Sequence, residues 1–249
     1  MNTNEDIVLI TGASHGIGRG LAMAYAKQGA KVVTCDKDEE YGRQLIGQIR
    51  ESGGRGYFFS CDVSRPEEVE NLFIQIQDKV GDITVLINNA GISEFKSMFE
   101  MEIEDWDEII NTNLRSVFLF SKHAAARWKE AGIAGRIVNI ASTRAFMSEQ
   151  DSEGYAASKG GIISLTHAMA SSLSDYKIKV NSISPGWIQT KNYESLRDID
   201  HNQHFSNRVG KVEDVVKACF YLTDKENDFV NGENITVDGG MTRKMIYEH

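Results

Sequence analysis

The sequence predicts an α/β protein built on a single doubly wound parallel sheet of about seven strands, with helices on both faces. Short apolar, β-branched runs alternate along the chain with longer amphipathic stretches. That alternation is typical of parallel strands joined by helical crossovers. The run Val8-Leu9-Ile10 contains no polar residue, as expected of a strand that helices cover on both faces.

The predicted strands are short runs between turn signals, and the predicted helices lie between them. The strands are expected at residues 7–11, 31–36, 56–61, 83–88, 136–141, 178–183 and 234–237. The helices are expected at 17–28, 38–51, 66–79, 104–130, 153–174 and 211–223. The sequence Ser64-Arg65-Pro66-Glu67 also predicts a capping box at the start of the third helix.

The length of 249 residues suits one large α/β domain, so we expect residues 1–249 to form a single domain. The one long irregular stretch lies at about 185–210. A loop of that length in a compact domain is usually a functional lid or is mobile. Trp187, Tyr193 and Phe205 in this stretch either line a pocket or pack the lid onto the core.

Charge and composition argue against several classes of protein. The net charge of −9 disfavours nucleic-acid binding, because phosphate backbones require clustered lysine and arginine. No apolar run reaches the roughly 18 residues needed to cross a bilayer, and the acidic N-terminus does not read as a signal peptide. Three widely spaced cysteines predict buried, reduced thiols in a cytoplasmic protein.

A glycine-rich turn follows the first predicted strand and opens the first helix. The segment runs Gly12-Ala13-Ser14-His15-Gly16-Ile17-Gly18. Glycines allow the backbone to approach a pyrophosphate closely, and a helix N-terminus offers unpaired N–H groups to the anion. Glycines also gather in plain turns, but the position between strand and helix favours a Rossmann-type dinucleotide cradle.

Acidic residues end the second and third predicted strands. Asp36 stands 18 residues after Gly18, where a carboxylate can accept hydrogen bonds from the adenosine ribose of NAD. The alternative is a solvated charge at the strand end. Asp62, followed by Val63, either contacts the adenine or starts the turn before Ser64.

Tyr155 and Lys159 are four residues apart on a predicted helix, and therefore share one face. A nearby cation favours the phenolate, which would let the tyrosine exchange protons closer to neutral pH. Ser142 ends the fifth strand, and strand ends converge on the ligand crevice of such sheets. Taken alone, the Tyr155–Lys159 pair is a weak signal, and a solvated helix pair is the favoured interpretation.

Together these motifs resemble the classical short-chain dehydrogenase/reductase family over nearly the whole chain. The matching segments are the glycine turn at 12–18, Asn-Asn-Ala-Gly at 88–91, Asn-Thr-Asn-Leu at 111–114, Ser142, Tyr155 with Lys159, Asn-Ser-Ile-Ser-Pro-Gly at 181–186, Thr190, and Val-Asp-Gly-Gly at 237–240. Two departures are Val212, where the family often has proline, and His15, where NADP-preferring members often have arginine.

The resemblance implies roles for these residues. Tyr155 would exchange the proton at the reacting oxygen, Lys159 would lower the pKa of Tyr155 and bind the nicotinamide ribose, and Ser142 would orient the substrate. Asn113 would hold a water linking Lys159 to solvent. The residues expected to contact NAD are Gly12, Ser14, Gly16, Ile17, Gly18, Asp36, Asp62, Val63, Asn89, Tyr155, Lys159, Ile188 and Thr190.

The resemblance implies an NAD-dependent oxidoreductase that interconverts a secondary alcohol and a ketone on a small molecule such as a sugar, polyol, steroid or hydroxy acid. A 3-oxoacyl-thioester reductase is the enzymatic alternative, and a non-catalytic NAD-binding redox sensor is the other. The family also implies a homotetramer. Apolar residues 162, 163, 165 and 169 are expected to add to its interface, because they supply more apolar surface than one core-facing stripe needs.

Two further groups of residues receive ordinary interpretations. His201 and His204 lie three apart, but a metal site would need additional ligands of suitable geometry, so no metal is expected. Arg144 follows Ser142 closely and could meet an anionic substrate group, although a surface ion pair is the favoured interpretation.

Overall fold

In the computed structural model, which describes residue 3 and residues 5–245, the strands form one all-parallel sheet. The sheet has seven strands within those residues, in the order β3-β2-β1-β4-β5-β6-β7. They are β1 (Ile7–Thr11), β2 (Lys31–Asp36), β3 (Arg55–Ser60), β4 (Val85–Asn88), β5 (Arg136–Ile140), β6 (Lys179–Pro185) and β7 (Asn234–Val237). The predicted Rossmann-type architecture is confirmed.

Helices connect the strands and lie on both faces of the sheet. They are α1 (Gly16–Lys27), α2 (Glu39–Glu51), α3 (Pro66–Lys79), α4 (Ile103–Ile110), α5 (Ser116–Ala131), α6 (Glu153–Leu173), α7 (Asp198–His201) and α8 (Val212–Thr223). The stretch predicted as one helix at 104–130 is α4 and α5, joined by a π-helical segment at Asn111–Arg115.

The capping box predicted at Ser64 is wrong. Helix α3 has Arg65 as its N-cap residue and receives no side-chain hydrogen bond there. The Ser64 hydroxyl instead donates to Asp62 Oδ1 at 2.7 Å. The aspartate two residues earlier offers a charged acceptor, and such a bond is stronger than one between neutral groups.

Strands β1 to β6 each contribute side chains to two separate layers of the core. On β1, Leu9 packs into the layer under α3, α5 and α6, whereas Val8 and Ile10 pack into the layer under α1, α2 and α8. All three side chains are fully buried. This explains the apolar run without alternation, because neither face of β1 meets solvent.

The central strand β1 pairs with β2 on one side and with β4 on the other. The chain therefore adds β2 and β3 on one side of β1 and then adds β4 to β7 on the other side, so the strand order reverses between β1 and β4. In open parallel sheets, ligands bind at the carboxyl edge beside such a switch point. The glycine turn after β1 and the segment after β4 meet at this edge.

The segment at 185–210 contains α7 and is closed at its base. Gln189 N donates to Gly210 O at 3.0 Å, and Gly210 N donates to Trp187 O at 3.0 Å. Inside the segment, the Tyr193 hydroxyl donates to Val209 O at 2.7 Å, whereas Phe205 is exposed. Tyr193 therefore packs the segment onto itself, and the role of the segment as a lid stays a prediction.

The sequence predicts more apolar side chains on α6 than the core needs. Most of these side chains pack into the core. Ile162 and Met169 are buried, and Ile163 and Leu165 are partly buried against the same core layer. Ile163 and Leu165 keep part of their surface exposed, so the subunit interface on this helix stays a prediction.

A buried ion pair ties the N-terminal segment to the amino edge of the sheet. Arg136 Nη2 lies 2.6 Å from Asp6 Oδ1, and the two side chains are 4% and 1% exposed. The Thr84 hydroxyl donates to the same carboxylate at 2.8 Å. Arg136 Nη1 donates to Thr223 O, the last residue of α8, at 2.6 Å. One carboxylate thus joins the starts of β4 and β5.

Removal of this carboxylate should destabilise the protein strongly. We predict that Asp6→Ala lowers the free energy of unfolding by about 3–5 kcal/mol, because it leaves the Arg136 guanidinium buried without its counter-charge. Urea unfolding followed by circular dichroism measures the change. Glu5→Ala is the control, since the Glu5 side chain is 88% exposed beside Lys225 and should cost less than about 1 kcal/mol. Equal losses in both variants would contradict the prediction.

Candidate active site

Two adjoining clefts open at the carboxyl edge of the sheet beside the switch point. The larger has a volume of about 610 Å³ and extends over the glycine turn and the end of β2. The smaller, of about 200 Å³, extends over the end of β5 and the start of α6. Five residues line both clefts: Ile17, Asn89, Gly91, Ile92 and Ser93. A single elongated ligand can therefore span the two.

The glycine turn is built for close approach between backbone segments. Gly12 has φ +63°, and a Cβ placed on it would lie 2.6 Å from Ala90 Cα. A Cβ on Gly18 would lie 2.4 Å from Gly12 O. Neither position accepts another residue without a shift of the backbone. Gly16 also has a positive φ, of +52°, and faces Thr190. The floor of the larger cleft is thus bare backbone.

Asn89 holds the glycine turn against the segment that follows β4. Its Nδ2 donates to Thr11 O and to Gly12 O, both at 2.9 Å. In return, Thr11 Oγ1 accepts hydrogen bonds from the backbone N–H groups of Asn89 and Ala90, each at 3.0 Å. Asn89 lines the clefts as expected, but its amide hydrogens are committed to the turn.

Asp36 lies in the wall of the larger cleft, at the end of β2. Its Oδ2 accepts from Ser14 N at 3.0 Å, and its Oδ1 accepts from Asp38 N at 3.1 Å. Ser14 is buried and lines neither cleft. Ser14 therefore orients the Asp36 carboxylate from behind, and a direct contact between its side chain and a ligand would need rearrangement.

Asp62 and Val63, which follow β3, also line the larger cleft. Asp62 Oδ1 accepts from Ser64 N at 2.9 Å and from the Ser64 hydroxyl at 2.7 Å. Burial is the largest influence and acts to raise the pKa of Asp62, but the two bonds from Ser64, together with the positive charges of Arg65 and Lys37, lower the pKa overall. The turn-forming role predicted for Asp62 is thus present, and contact with an adenine stays a prediction.

Ser142, Tyr155 and Lys159 line the smaller cleft together. Ser142 follows β5, and its hydroxyl accepts from Arg144 N at 3.1 Å. Tyr155 lies in the first turn of α6. The Lys159 ammonium lies 5.5 Å from the centre of the Tyr155 ring and donates to Ile140 O at 2.9 Å. The structure brings together three groups that come from two elements, since Ser142 follows β5 whereas Tyr155 and Lys159 both lie on α6.

Burial controls the protonation of this cluster. It lowers the pKa of Lys159 to about 8. Burial also raises the pKa of Tyr155, against the opposing effects of a hydrogen bond with Ser142 and the positive charge of Arg144. The sequence predicts a Tyr155 pKa lowered by Lys159. In this structure the dominant influence is instead desolvation, which disfavours the charged phenolate.

Asn113 lies behind the clefts and lines neither of them. Its side chain is fully buried in the π-helical segment. Its Oδ1 accepts from Ile92 N at 2.8 Å, and its Nδ2 donates to Ile92 O at 2.9 Å and to the Ser158 hydroxyl at 3.1 Å. A Cβ on Gly91 would lie 3.2 Å from Asn113 Oδ1 and 3.6 Å from Lys159 Nζ. The asparagine thus reaches the site through Gly91 and Ile92.

The remaining predicted positions divide between the two clefts. Thr190 lines the larger cleft and Ile188 the smaller. Arg144 forms an ion pair with Glu149, in agreement with the favoured interpretation. Sequence reasoning missed several lining residues. Ile92 and Ser93 could have been found from their place after β4, whereas Glu108 and Thr112 carry no sequence signal.

Residue 3 and residues 5–245 contain neither a metal-ligand cluster nor a membrane-spanning helix. No group of three or more histidine, cysteine, aspartate or glutamate residues there could hold a metal ion. Within the same residues, no helix is long and apolar enough to cross a bilayer. Cys35, Cys61 and Cys219 are buried and free, in agreement with the prediction from their spacing.

Comparisons with known proteins agree with this geometry. The family model described as enoyl-(acyl carrier protein) reductase matches residues 12–242. An uncharacterized oxidoreductase of Thermotoga maritima is 43% identical, over 97% of this chain and 98% of that protein. The 3-oxoacyl-[acyl-carrier-protein] reductase FabG of Vibrio cholerae is 34% identical, over 97% of this chain and 99% of that protein.

A sugar-acid enzyme and a solved structure are also similar. The 2-dehydro-3-deoxy-D-gluconate 5-dehydrogenase of Formosa agariphila is 34% identical, over 94% of this chain and 92% of that protein. The crystal structure of a short-chain type dehydrogenase/reductase from Mycobacterium marinum superposes with a TM-score of 0.90 at 32% identity, covering 97% of each chain. The chain therefore belongs to the short-chain dehydrogenase/reductase family of oxidoreductases.

Proposed function

We propose that the chain is an NAD-dependent oxidoreductase that interconverts a secondary alcohol and a ketone. The observation that carries this proposal is the smaller cleft, in which Ser142, Tyr155 and Lys159 face a space continuous with the glycine turn. A dinucleotide laid over that turn would bring its reactive end to the tyrosine. The substrate class we favour is a small hydroxylated molecule such as a sugar, polyol, steroid or hydroxy acid.

The residues of the larger cleft fit a dinucleotide. Its floor has no room for a Cβ at Gly12, and Gly18, which lines neither cleft, packs closely against Gly12 O. This leaves backbone N–H groups and the N-terminus of α1 for a pyrophosphate. The Asp36 carboxylate, held from behind by Ser14, suits a ribose diol. We propose that Gly12, Gly16, Ile17, Gly18, Asp36, Asp62, Val63, Asn89, Tyr155, Lys159, Ile188 and Thr190 form the contact surface, with Ser14 supporting it.

Each polar residue of the smaller cleft has a proposed role in the reaction. A bound nicotinamide supplies or accepts the hydride. Tyr155 gives its phenolic proton to the substrate oxygen during reduction and takes it back during oxidation. Ser142 hydrogen-bonds the same oxygen and holds it at the phenol. Lys159, fixed by Ile140 O, places a positive charge beside the tyrosine and stabilises the phenolate when it forms.

Asn113 has a positioning role in this proposal. Its paired hydrogen bonds to Ile92 and its bond to Ser158 join the segment after β4 to α6. Because Ser158 directly precedes Lys159, this link fixes the distance between the two walls of the smaller cleft. A proton relay through water at Asn113, as the family resemblance implies, needs Ile92 to release part of this bonding.

The comparisons give equal support to the proposed substrate class and to one alternative. The 34% identity to a 3-oxoacyl-[acyl-carrier-protein] reductase supports a thioester reductase, and the equal identity to a 2-dehydro-3-deoxy-D-gluconate 5-dehydrogenase supports a sugar-acid substrate within the proposed class. A panel of sugar acids, polyols, steroids, hydroxy acids and 3-oxoacyl thioesters, followed at the nicotinamide absorbance, decides between them. The other alternative, a non-catalytic redox sensor, requires that every member of the panel fail.

The proposal extends to the location of the enzyme, its assembly and the motion of the segment at 185–210. We propose a cytoplasmic protein, which is consistent with three buried free thiols, and a homotetramer of single-domain subunits, which the family resemblance implies. We also propose that the segment at 185–210 closes over the substrate. Its base at Gly210 and Trp187 is hydrogen-bonded, so motion would be confined to the part beyond that base.

Catalysis should depend on the phenol of Tyr155. We predict that Tyr155→Phe keeps its affinity for NAD and loses about 10²–10⁴-fold in kcat, the usual contribution of general acid–base catalysis. Stopped-flow turnover and fluorescence titration of NADH measure the two quantities. Tyr176→Phe, at an exposed position after α6, is the matched control and should be unchanged. A loss below about tenfold in Tyr155→Phe would remove the tyrosine from this role.

The buried ammonium of Lys159 should cost stability at neutral pH. Its pKa falls from 10.5 to about 8 on folding, so between those values the unfolded chain binds one proton more than the native chain. Native stability therefore rises as pH increases through this window. We predict that Lys159→Met is more stable than wild type by about 1–3 kcal/mol at pH 7.

The advantage of Lys159→Met should shrink above pH 8 and vanish near pH 10.5. Urea unfolding of both proteins across that range measures the difference, and other groups cancel because both proteins share them. Lys122→Met, at an exposed position on α5, should show no such trend. A constant difference from pH 7 to pH 10.5 would contradict the prediction.

Asp36 should set the preference between the two nicotinamide cofactors. NADP carries a phosphate on the 2′-oxygen, and charges about 4 Å apart repel by roughly 4 kcal/mol at an effective dielectric near 20. Solvent and salt reduce this to about 1–3 kcal/mol. We predict that kcat/KM favours NAD by at least about tenfold.

Asp36→Ala should narrow this preference mainly by improving the use of NADP. Asp36→Asn should act in the same direction while keeping an acceptor for Ser14 N, which separates the charge from the support of the loop. Initial rates with both cofactors measure the effect. Equal use of NAD and NADP by the wild type would place Asp36 away from the ribose and would favour the thioester reductase.

A further inference from the structure

His15 and Asp38 form a contact at the adenosine end of the larger cleft that the family motifs do not include. His15 Nε2 lies 2.8 Å from Asp38 Oδ2. His15 lines the cleft together with Asp36 and Lys37, whereas Asp38 does not line it. The His15 imidazole is therefore held by the Asp38 carboxylate, which lies outside the space that a ligand would fill. The His15 ring also packs on the Tyr41 ring, with 4.6 Å between ring centres.

Asp38 is fixed in place by the backbone around it. It is the N-cap of α2, where its Oδ1 accepts from Tyr41 N at 3.3 Å. Its own N–H donates to Asp36 Oδ1 at 3.1 Å, and its carbonyl accepts from the Ser14 hydroxyl at 3.1 Å. One residue thus starts a helix, supports Asp36 and holds His15, so the position of the imidazole is coupled to that of the ribose-facing acid.

We propose that Asp38 is a second cofactor-specificity residue, which withholds His15 from the 2′-phosphate of NADP and so reinforces the selection of NAD by Asp36. This inference rests on the proposed function, because it assumes that the adenosine ribose lies at Asp36. It adds to that function a role for the contact between the His15 and Asp38 side chains. The group that this contact excludes is a phosphate monoester.

The chemistry of the neighbouring groups supports this role. The His15 imidazole and the Lys37 ammonium both lie on the cleft wall beside Asp36, and together they would offer two hydrogen-bond donors to a phosphate dianion. The bond to Asp38 engages Nε2, and the same bond lowers the pKa of Asp38. To recruit His15, a 2′-phosphate would have to break that bond and leave Asp38 Oδ2 nearby without its imidazole partner.

The size of the effect of Asp38 on affinity depends on how exposed the His15 and Asp38 side chains are. The side chains of His15 and Asp38 are 46% and 35% exposed, and ion pairs that open to solvent are weak. Asp38 should therefore contribute about 3–10-fold in affinity, as a supplement to Asp36. A larger contribution would need a dry site, and the exposure of both groups argues against one.

Direct binding of two adenosine nucleotides tests the inference without any need for turnover. The probes are adenosine 2′,5′-bisphosphate, which carries the 2′-phosphate, and 5′-AMP, which lacks it. The variant is Asp38→Ser, since serine also caps helices well but is too short to hold His15. By isothermal titration calorimetry, Asp38→Ser should tighten the bisphosphate about 3–10-fold and leave the Kd of 5′-AMP within about twofold.

Two further variants separate the release of His15 from a simple loss of negative charge. Adding His15→Ala to Asp38→Ser should abolish the gain for the bisphosphate. Glu39→Gln removes a neighbouring charge that pairs with Arg43, and should leave both affinities unchanged. A gain that persists without His15, or an equal gain in Glu39→Gln, would overturn the proposal, because charge alone would then explain the result.

The outcomes distinguish this inference from the proposed function. If the wild type binds 5′-AMP and Asp38→Ser leaves the bisphosphate Kd unchanged, the role of Asp38 is wrong and the nucleotide site stands. If the wild type binds neither nucleotide, the nucleotide site itself is wrong and the inference falls with it. Thermal unfolding of each variant confirms that the cap of α2 is intact.

Discussion

The contact between the glycine turn and the segment after β4 is the constraint on which the site depends. Gly12 approaches Ala90 so closely that no Cβ fits, and the Asn89 amide closes the contact with two hydrogen bonds to the turn. This contact bridges the switch point of the sheet. It fixes the floor of the larger cleft and, through Gly91 and Ile92, the wall of the smaller one, so both clefts share one rigid base.

The site is held by polar groups whose burial is unfavourable unless each is matched. Asn113 is fully satisfied by Ile92 and Ser158, and Asp36 is held by two backbone N–H groups. Lys159 is the exception: it donates to Ile140 O, but burial still lowers its pKa. An ionisable group whose pKa is shifted by burial is typical of functional sites, where the protein loses some stability but gains a reactive group.

The fold could be predicted from the sequence to a greater extent than the site. Bounds for β1, β2 and β7 agree with the predicted runs. For β1 and β2 the reason is that a strand buried on both faces leaves a clear pattern, whereas β7 is only partly buried. The clustering of Ser142, Tyr155 and Lys159 followed from strand-end geometry. The raised pKa of Tyr155 and the committed amide of Asn89 could not be foreseen, because desolvation and hydrogen-bond partners depend on packing between distant segments.

The π-helical segment at Asn111–Arg115 shows most clearly why packing decides the site. A helical pattern over 104–130 predicts a regular helix, in which Asn113 would continue the spacing of its neighbours. A π-turn inserts one residue into that spacing and rotates the next turns of the helix about its axis. Here it accompanies a fully buried Asn113 that bonds Ile92 and Ser158. The irregularity weakens local helix geometry, and the three buried bonds of Asn113 offset that cost while joining α4, α6 and the floor of the clefts.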